Sequence, residues 1–189
     1  MTSEDVLSLF RSSGALLEGH FKLSSGLHSG GYLQCALVLQ HPAHAEKLGQ
    51  ALGAQLRSLG ATTVLSPALG GLIIGHEVGR ELGLPAIFAE RVDGKLTLRR
   101  GFSLGAADRV VVIEDVITTG LSTRETIDAA EATGARVLGA GAIVDRGAEA
   151  TRLNVPLQAL VRMQVPAYQP EACPLCAAGV PVVKPGSRI

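Results

Sequence analysis

One stretch, Arg109 to Ser122, constrains this chain more than any other. It reads Arg-Val-Val-Val-Ile-Glu-Asp-Val-Ile-Thr-Thr-Gly-Leu-Ser. The β-branched run Val110 to Ile113 is short and uninterrupted, as in a strand buried on both faces of a parallel sheet. Glu114 and Asp115 follow at its carboxyl end, where open α/β sheets hold their ligands. Thr118, Thr119, Gly120 and Ser122 come next. Ser122-Thr-Arg-Glu125 has the S-x-x-E pattern of a capping box and predicts a helix from Thr123 to about Thr133.

The turn between strand and helix has specific chemistry. Hydroxyls and free backbone N–H groups at a helix N-terminus cradle a dianionic phosphate. Gly120 permits a positive φ or a close approach of the backbone to a ligand. Two carboxylates just upstream would repel that phosphate unless they face something else, such as sugar hydroxyls or a bound Mg²⁺. Together these groups describe a phosphorylated sugar lying across the strand end. The plain alternative is a buried strand followed by a capped helix, but such strands rarely end in two acids, two threonines and a glycine in this order.

The run Val-Val-Ile-Glu-Asp-Val-Ile-Thr-Thr-Gly closely resembles the phosphoribosyl pyrophosphate (PRPP) signature of type I phosphoribosyltransferases. The resemblance covers nearly the whole chain. It implies an α/β fold with a central, mostly parallel sheet flanked by helices. It also implies a small N-terminal hood from about residues 1–35. One domain is expected over residues 1–189, with a proline-rich tail over about 164–189. By the same resemblance Glu114, Asp115, Val116, Ile117, Thr118, Thr119, Gly120, Leu121 and Ser122 bind PRPP. The acids hold the ribose hydroxyls, and the Thr118–Ser122 turn holds the 5′-phosphate.

Composition agrees with one soluble domain. At 189 residues there is room for a substantial core. Hydrophobic residues make up 47% and charged ones 18%, which excludes a disordered chain. Zero net charge speaks against a broad nucleic-acid or anionic-membrane surface, so an anion site must be local. Aromatics are 3% with no Trp, too few for base-stacking platforms. The acidic start lacks the basic opening of a signal peptide. Ser58 to His76 carries no formal charge, but Pro67, Gly70-Gly71 and its polar residues make a poor membrane span. A cytoplasmic location with no membrane partner is expected, and three cysteines without a secretion signal suggest reduced thiols.

In chain order, Ser3 to about Ser13 predicts a short amphipathic helix with Ser3 as cap. Gly19 to Gln34 is rich in glycine and small polar residues and reads as a loop or short irregular hairpin. It resembles the amino-terminal segment of orotate phosphoribosyltransferases, where a Phe-x-Leu-x-Ser-Gly run precedes Ser and an aromatic. Here these are Phe21 to Gly26, Ser29 and Tyr32. Many relatives carry Lys where this chain has Ser24; Lys22 stands two residues earlier. His41 to Gly60 predicts a long helix with Ala45, Leu48, Leu52, Leu56 and Leu59 on one face and Gly60 ending it.

Thr62 to Gly71 is a strand entering a glycine turn, with a helix from Leu72 to about Leu82. The family has a pyrophosphate-binding loop here, often with a non-proline cis peptide, so Ala68, Leu69 and Gly70 are assigned to PRPP. Pro85 to Glu90 predicts the next strand, and Asp93-Gly94 is a hairpin-turn signal. Arg91, Lys95, Arg99 and Arg100 place four cations in this short segment. The family's mobile catalytic loop lies here and often serves the neighbouring subunit's site. Relatives typically have an Arg-Lys pair, another Lys and a His; this chain has Arg91 followed by Val92, and no His. Arg91 and Lys95 are carried over, with Asp115, as catalytic residues.

Val137 to Val144 predicts a strand that ends in Asp145-Arg146. An Arg at that position can contact a carboxylate bidentately, and the resemblance assigns Arg146 to orotate, a pyrimidine carboxylate. Thr118, Ser24 and Tyr32 complete the implied orotate set. Leu157 to Met163 predicts a last strand. In the tail, Cys173-Pro-Leu-Cys176 has metal-ligand spacing. It has no second pair nearby, no histidine follows it and only Cys35 remains. Zinc requires four ligands, so no zinc site is expected. Nor does the pair open a helix after a strand, as a redox Cys-x-x-Cys does.

The resemblance therefore implies transfer of the 5-phosphoribosyl group from PRPP to orotate, giving orotidine 5′-phosphate and pyrophosphate in de novo UMP synthesis. Mg²⁺ is the implied cofactor, held mainly by substrate oxygens with no dedicated protein ligand. A homodimer with shared active sites is the implied assembly, and no nucleic-acid partner is expected. Two alternatives stay open on sequence alone: a purine-base phosphoribosyltransferase, and a PRPP-sensing regulator that binds nucleic acid on the same fold. The second would call for a basic face or an added helix-turn-helix.

Overall fold

The computed structural model describes residues 1–23, 25–147 and 153–184. In chain order it contains α1 (Ser3–Ser12), β1 (Leu16–Lys22), β2 (His28–Leu33), α2 (Cys35–Leu39), α3 (Pro42–Leu56), β3 (Thr63–Pro67) and α4 (Gly71–Leu82). There follow β4 (Ala86–Val92), β5 (Lys95–Leu98), β6 (Arg109–Ile117), α5 (Leu121–Glu131), β7 (Arg136–Asp145), β8 (Leu157–Arg162), β9 (Ala167–Tyr168) and α6 (Pro174–Ala177). No helix among the described residues is long and apolar enough to cross a membrane.

The central sheet has the order β5-β4-β3-β6-β7-β8. Every pairing in it is parallel except β4 with β5. The β-branched run of β6 explains the layering. Successive side chains on a strand point to opposite faces. Val111 and Ile113 therefore pack with Leu48, Leu52 and Leu56 of α3 and Ile74 and Val78 of α4. Val110 and Val112 join Ile127 and Ala130 of α5 on the other face. All four strand residues have no exposed surface, and each such burial contributes roughly 1.5–3 kcal/mol.

Several boundaries differ from expectation for local reasons. Helix α1 is capped by Thr2, not Ser3. The Thr2 hydroxyl accepts from the Asp5 amide at 3.2 Å, and the Asp5 carboxylate accepts from the Thr2 amide at 2.7 Å. Asp fills the capping-box position where the pattern usually has Glu or Gln. Helix α3 passes into a 3-10 turn over Arg57–Leu59 before Gly60 closes it with φ 66°. Short α2 is not among the elements expected from sequence.

The amino-terminal segment is the expected irregular hairpin. β1 and β2 pair antiparallel, with a register shift between Glu18 and Phe21. A third strand comes from the opposite end of the chain: β9 pairs with β2 through His28–Tyr168 and Ser29–Ala167. The hood sheet thus takes part of the tail.

Candidate active site

Strand order locates the site. From β3 the chain moves through α4 to β4 on one side, and from β6 through α5 to β7 on the other. The two helices lie on opposite faces, so the loops leaving β3 and β6 diverge. The crevice at such a switch point is where open α/β sheets hold ligands. The register sharpens this. Leu65 pairs with Val112, so Pro67, the last residue of β3, stands level with Glu114. Beyond it β6 runs on to Ile117, paired only with β7.

Glu114 and Asp115 sit at that half-open edge, inside the strand rather than after it. Burial, with the neighbouring Asp115 charge second, pushes the Glu114 carboxyl up to about 8. Glu114 Oε2 is buried with no hydrogen-bond partner among the described residues. Burial also raises Asp115, although the Val116 amide donates to its Oδ1 at 2.8 Å and works against the rise. Beneath them the thiol of buried Cys35 is raised well above its usual value, chiefly by burial and then by the two acids.

The glycine turn after β3 abuts this pair. A Cβ at Gly70 would stand 2.7 Å from Asp115 Oδ1, and one at Gly71 would stand 2.7 Å from the Ile113 carbonyl. Any side chain there would displace the acids, so the glycines are required by close approach. The Ala68–Leu69 peptide is cis, and Leu69 is 82% exposed at the crevice. The expected loop of Ala68, Leu69 and Gly70 therefore meets the signature strand directly.

Helix α5 starts at Leu121, two residues before its predicted start, because Gly120 takes φ 72° and serves as the cap residue. The Ser122-to-Glu125 capping box does not form. Ser122 lies inside the helix, and Glu125 reaches Arg91 instead. The first intrahelical bond is Arg124 N–H to the Gly120 carbonyl, at 2.9 Å. The amides of Ser122 and Thr123 precede it and have no acceptor within the helix. Thr118 and Thr119 are exposed beside them. The anion-accepting end expected from sequence remains, without the capping box that the Ser122-to-Glu125 spacing suggested.

Arg146 follows β7, and its amide donates to the Ile117 carbonyl at 2.8 Å, which ties it to the end of β6. Its Nε is buried without a hydrogen-bond partner among the described residues, and burial lowers the guanidinium from its usual value. Tyr32 of β2 is close enough to act on it electrostatically. Two members of the expected orotate set, from distant parts of the chain, are thereby brought together. Ser24 lies outside the described residues.

The cationic hairpin forms as expected. Asp93 and Gly94 both have positive φ, 48° and 82°, as a two-residue hairpin turn requires. Ala89 is level with Pro67, so the last residues of β4 and the turn project past the sheet's carboxyl edge. Lys95 is exposed there and makes no ion pair among the described residues. Arg91 lies on the hairpin but bonds the Gly94 carbonyl and pairs with Glu125 on α5, both at 2.5 Å. Arg100 makes a bidentate pair with Glu90 at 2.8 Å and stands over the Phe88 ring. Sequence reasoning missed Glu125 as the partner of Arg91, because no local pattern links a strand end to a helix one crossover later.

Comparisons with known proteins agree with this geometry. No family model matches the chain. A protein of Rhizorhabdus wittichii named orotate phosphoribosyltransferase is 53% identical over 191 residues, covering 100% of this chain and 97% of that one. One of the same name from Pelotomaculum thermopropionicum is 50% identical over 188 residues, covering 100% and 99%. The crystal structure of orotate phosphoribosyltransferase from Aeropyrum pernix superposes with TM-score 0.71 at 28% identity, over 84% of this chain and 93% of that one. Adenine phosphoribosyltransferase from Leishmania tarentolae shares the fold, with TM-score 0.57 at 20% identity over 70% and 77%. Given this identity over its full length, the chain belongs to the orotate phosphoribosyltransferases, pentosyltransferase enzymes of the type I phosphoribosyltransferase fold.

Proposed function

We propose that this chain transfers the 5-phosphoribosyl group of PRPP to orotate, releasing pyrophosphate, at the crevice between β3 and β6. The observation that carries the reading is the buried acid pair with an orphaned oxygen, set beside the open N-terminus of α5. Two largely shielded carboxylates without a cationic partner among the described residues are a functional arrangement rather than a stabilising one. Glu114 and Asp115 hold the ribose hydroxyls and favour the cationic character that develops at the anomeric carbon. The amides at the start of α5, with Thr118, Thr119 and Ser122, hold the 5′-phosphate. The backbone at Ala68–Gly70 faces the pyrophosphate. Catalysis on this reading is positioning and electrostatics, with little proton transfer.

Mg²⁺ fits this site. The unpartnered Glu114 oxygen and adjacent Asp115 are hard oxygen donors suited to it, directly or through water. Bound there with substrate, the ion would neutralise charge on the departing pyrophosphate. Lys95, at the start of β5 beside the projecting turn, adds a cation to the same group. Arg91 joins it by leaving Glu125.

A homodimer is supported by exposed Leu69, Ile73 and Leu121 around the crevice, an apolar set suited to a second copy. A cytoplasmic location and a role in UMP synthesis agree with three free cysteines and with the relatives' names.

Orotate is favoured as the base because Arg146 carries a buried N–H, unpaired among the described residues, beside Tyr32. The fall in orotate absorbance with PRPP and Mg²⁺ measures the reaction, with adenine, hypoxanthine and uracil followed in parallel by pyrophosphate release. Arg146→Ala is expected to raise the KM for orotate about 10- to 100-fold with a smaller change in kcat. An unchanged orotate KM would remove Arg146 from the base site.

A further inference from the structure

The two histidines of the hood hairpin and the two cysteines of the tail meet in one place. His20 lies on β1 and His28 opens β2, where it pairs with Lys22 across the hairpin and with Tyr168 of β9. Cys173 precedes the single turn of α6, which brings Cys176 round to the same side. Both histidines and Cys173 are buried, at 3%, 7% and 2% exposure. One potential ligand atom from each of the four residues lies within 4.8 Å of all the others.

The atoms converge with tetrahedral spacing. His20 Nε2 is 2.9 Å from His28 Nδ1, 3.5 Å from Cys173 Sγ and 3.7 Å from Cys176 Sγ. Cys176 Sγ is 3.3 Å from His28 Nδ1. Ordinary Zn–N and Zn–S bond lengths give tetrahedron edges of about 3.3–3.8 Å. Three of these four contacts match that range; the short nitrogen–nitrogen one relaxes by a few tenths of an ångström, about a rotamer adjustment.

The tautomer is already set. His20 Nδ1 stands 2.7 Å from the Val180 carbonyl. A carbonyl can only accept, so Nδ1 carries the proton and Nε2 presents its lone pair to the cluster. A backbone carbonyl holding the far nitrogen of a histidine is the usual outer support of a metal ligand.

We propose that His20, His28, Cys173 and Cys176 form a structural Zn²⁺ site that fastens the tail to the hood. The donor set is two imidazoles and two thiols with no carboxylate, which favours Zn²⁺ over Mg²⁺. Four protein ligands close the site, so it is structural and not catalytic. Cys173 and Cys176 bind as thiolates, and their protons go to solvent. The proposal is independent of the proposed reaction and of the Mg²⁺ expected there.

What it fastens is visible around it. The ligands join residues 148 apart in the chain. Close by, the Lys22 amide donates to the Val183 carbonyl and the Val183 amide to the His20 carbonyl, each at 2.8 Å. The two-residue strand β9 is too short to hold the tail alone. The same β2 carries Tyr32, so the clip also steadies the strand that faces Arg146. The histidines that complete the set lie 153 and 148 residues upstream of the cysteines they meet, where spacing along the chain gives no sign of them.

The test uses the full chain without a polyhistidine tag, purified under reducing conditions and dialysed without chelator. Elemental analysis is expected to find about one zinc per chain. After zinc removal, Co²⁺ should give the visible bands of a tetrahedral site and near-ultraviolet thiolate-to-cobalt bands. Cys173→Ser and His20→Gln should each reduce bound zinc at least about fivefold, whereas Cys35→Ser, in the core, should leave it unchanged. Should the ligand variants fail to fold, wild type alone decides. Titrating its thiols with a mercurial should release zinc stoichiometrically. Protein that is zinc-free as isolated and takes up no Co²⁺ with thiolate bands, its thiols being reduced, would overturn the site. So would a Cys173–Cys176 disulfide in that preparation.

Discussion

The acidic end of β6 and the basic β4–β5 hairpin share one edge of the sheet and treat charge in opposite ways. The acids are half-buried, with Glu114 Oε2 out of water, and lack cationic partners among the described residues. Two of the hairpin's arginines are exposed and already paired, Arg91 with Glu125 and Arg100 with Glu90. A carboxylate out of water costs several kcal/mol unless something compensates it, whereas exposed ion pairs contribute little and part readily. The difference separates a fixed half of the site, built into the core and waiting for ligand, from a movable half whose cations exchange partners at small cost.

The comparison breaks most clearly at Asp115. Asp115→Asn is expected to lower kcat about 100- to 1,000-fold, with a melting temperature equal to or above wild type because a buried charge is gone. Lys95→Ala comes next, with a kcat loss of about 100-fold and no change in melting temperature, read by steady-state kinetics and thermal unfolding. Unaltered pyrophosphate release in that variant would take the hairpin out of the reaction.

The buried half also has a pH signature. Glu114 has its pKa raised in the folded chain, so ionising it there opposes folding. Between the ordinary glutamate value and about 8 the native state keeps a proton that the unfolded chain has released. Stability therefore falls as pH rises through that window and levels off above it. Glu114→Gln should match wild type near pH 4 and exceed it above pH 8 by up to ~5 kcal/mol, measured by denaturant unfolding. The exposed half should show the smallest effect. Arg100→Ala is expected to shift the melting temperature by at most ~2 °C; a larger shift would mean that the hairpin is not loosely held.

How much of this could be read in the sequence depended on distance along the chain. The β6 strand, its acids and the following turn are contiguous, and a buried parallel strand leaves a β-branched run that the helical Cys35–Leu39 stretch, apolar but only once β-branched, does not imitate. The Asp93-Gly94 turn was equally legible, because few residue pairs accept positive φ twice. Capping was harder. Ser122-x-x-Glu125 satisfied a local rule, but Gly120 began the helix earlier and Arg91 took the glutamate. At the amino terminus Asp5 let Thr2 cap one residue ahead of Ser3. The burial of Glu114 and Asp115 depends on Gly70 and Gly71 arriving from another βα unit, which local pattern does not encode. The hood's third strand and the His20–His28–Cys173–Cys176 cluster join the two ends of the chain, and only the folded molecule puts them together.

The central claim is that the buried acid pair at the end of β6 acts on the ribose ring during transfer. Turnover of Asp115→Asn, followed by orotate absorbance at saturating PRPP and Mg²⁺ and paired with calorimetric PRPP binding, tests it most directly. A folded variant that still binds PRPP but turns over about 100-fold or more slower is the predicted result. Wild-type turnover in that variant would contradict the account.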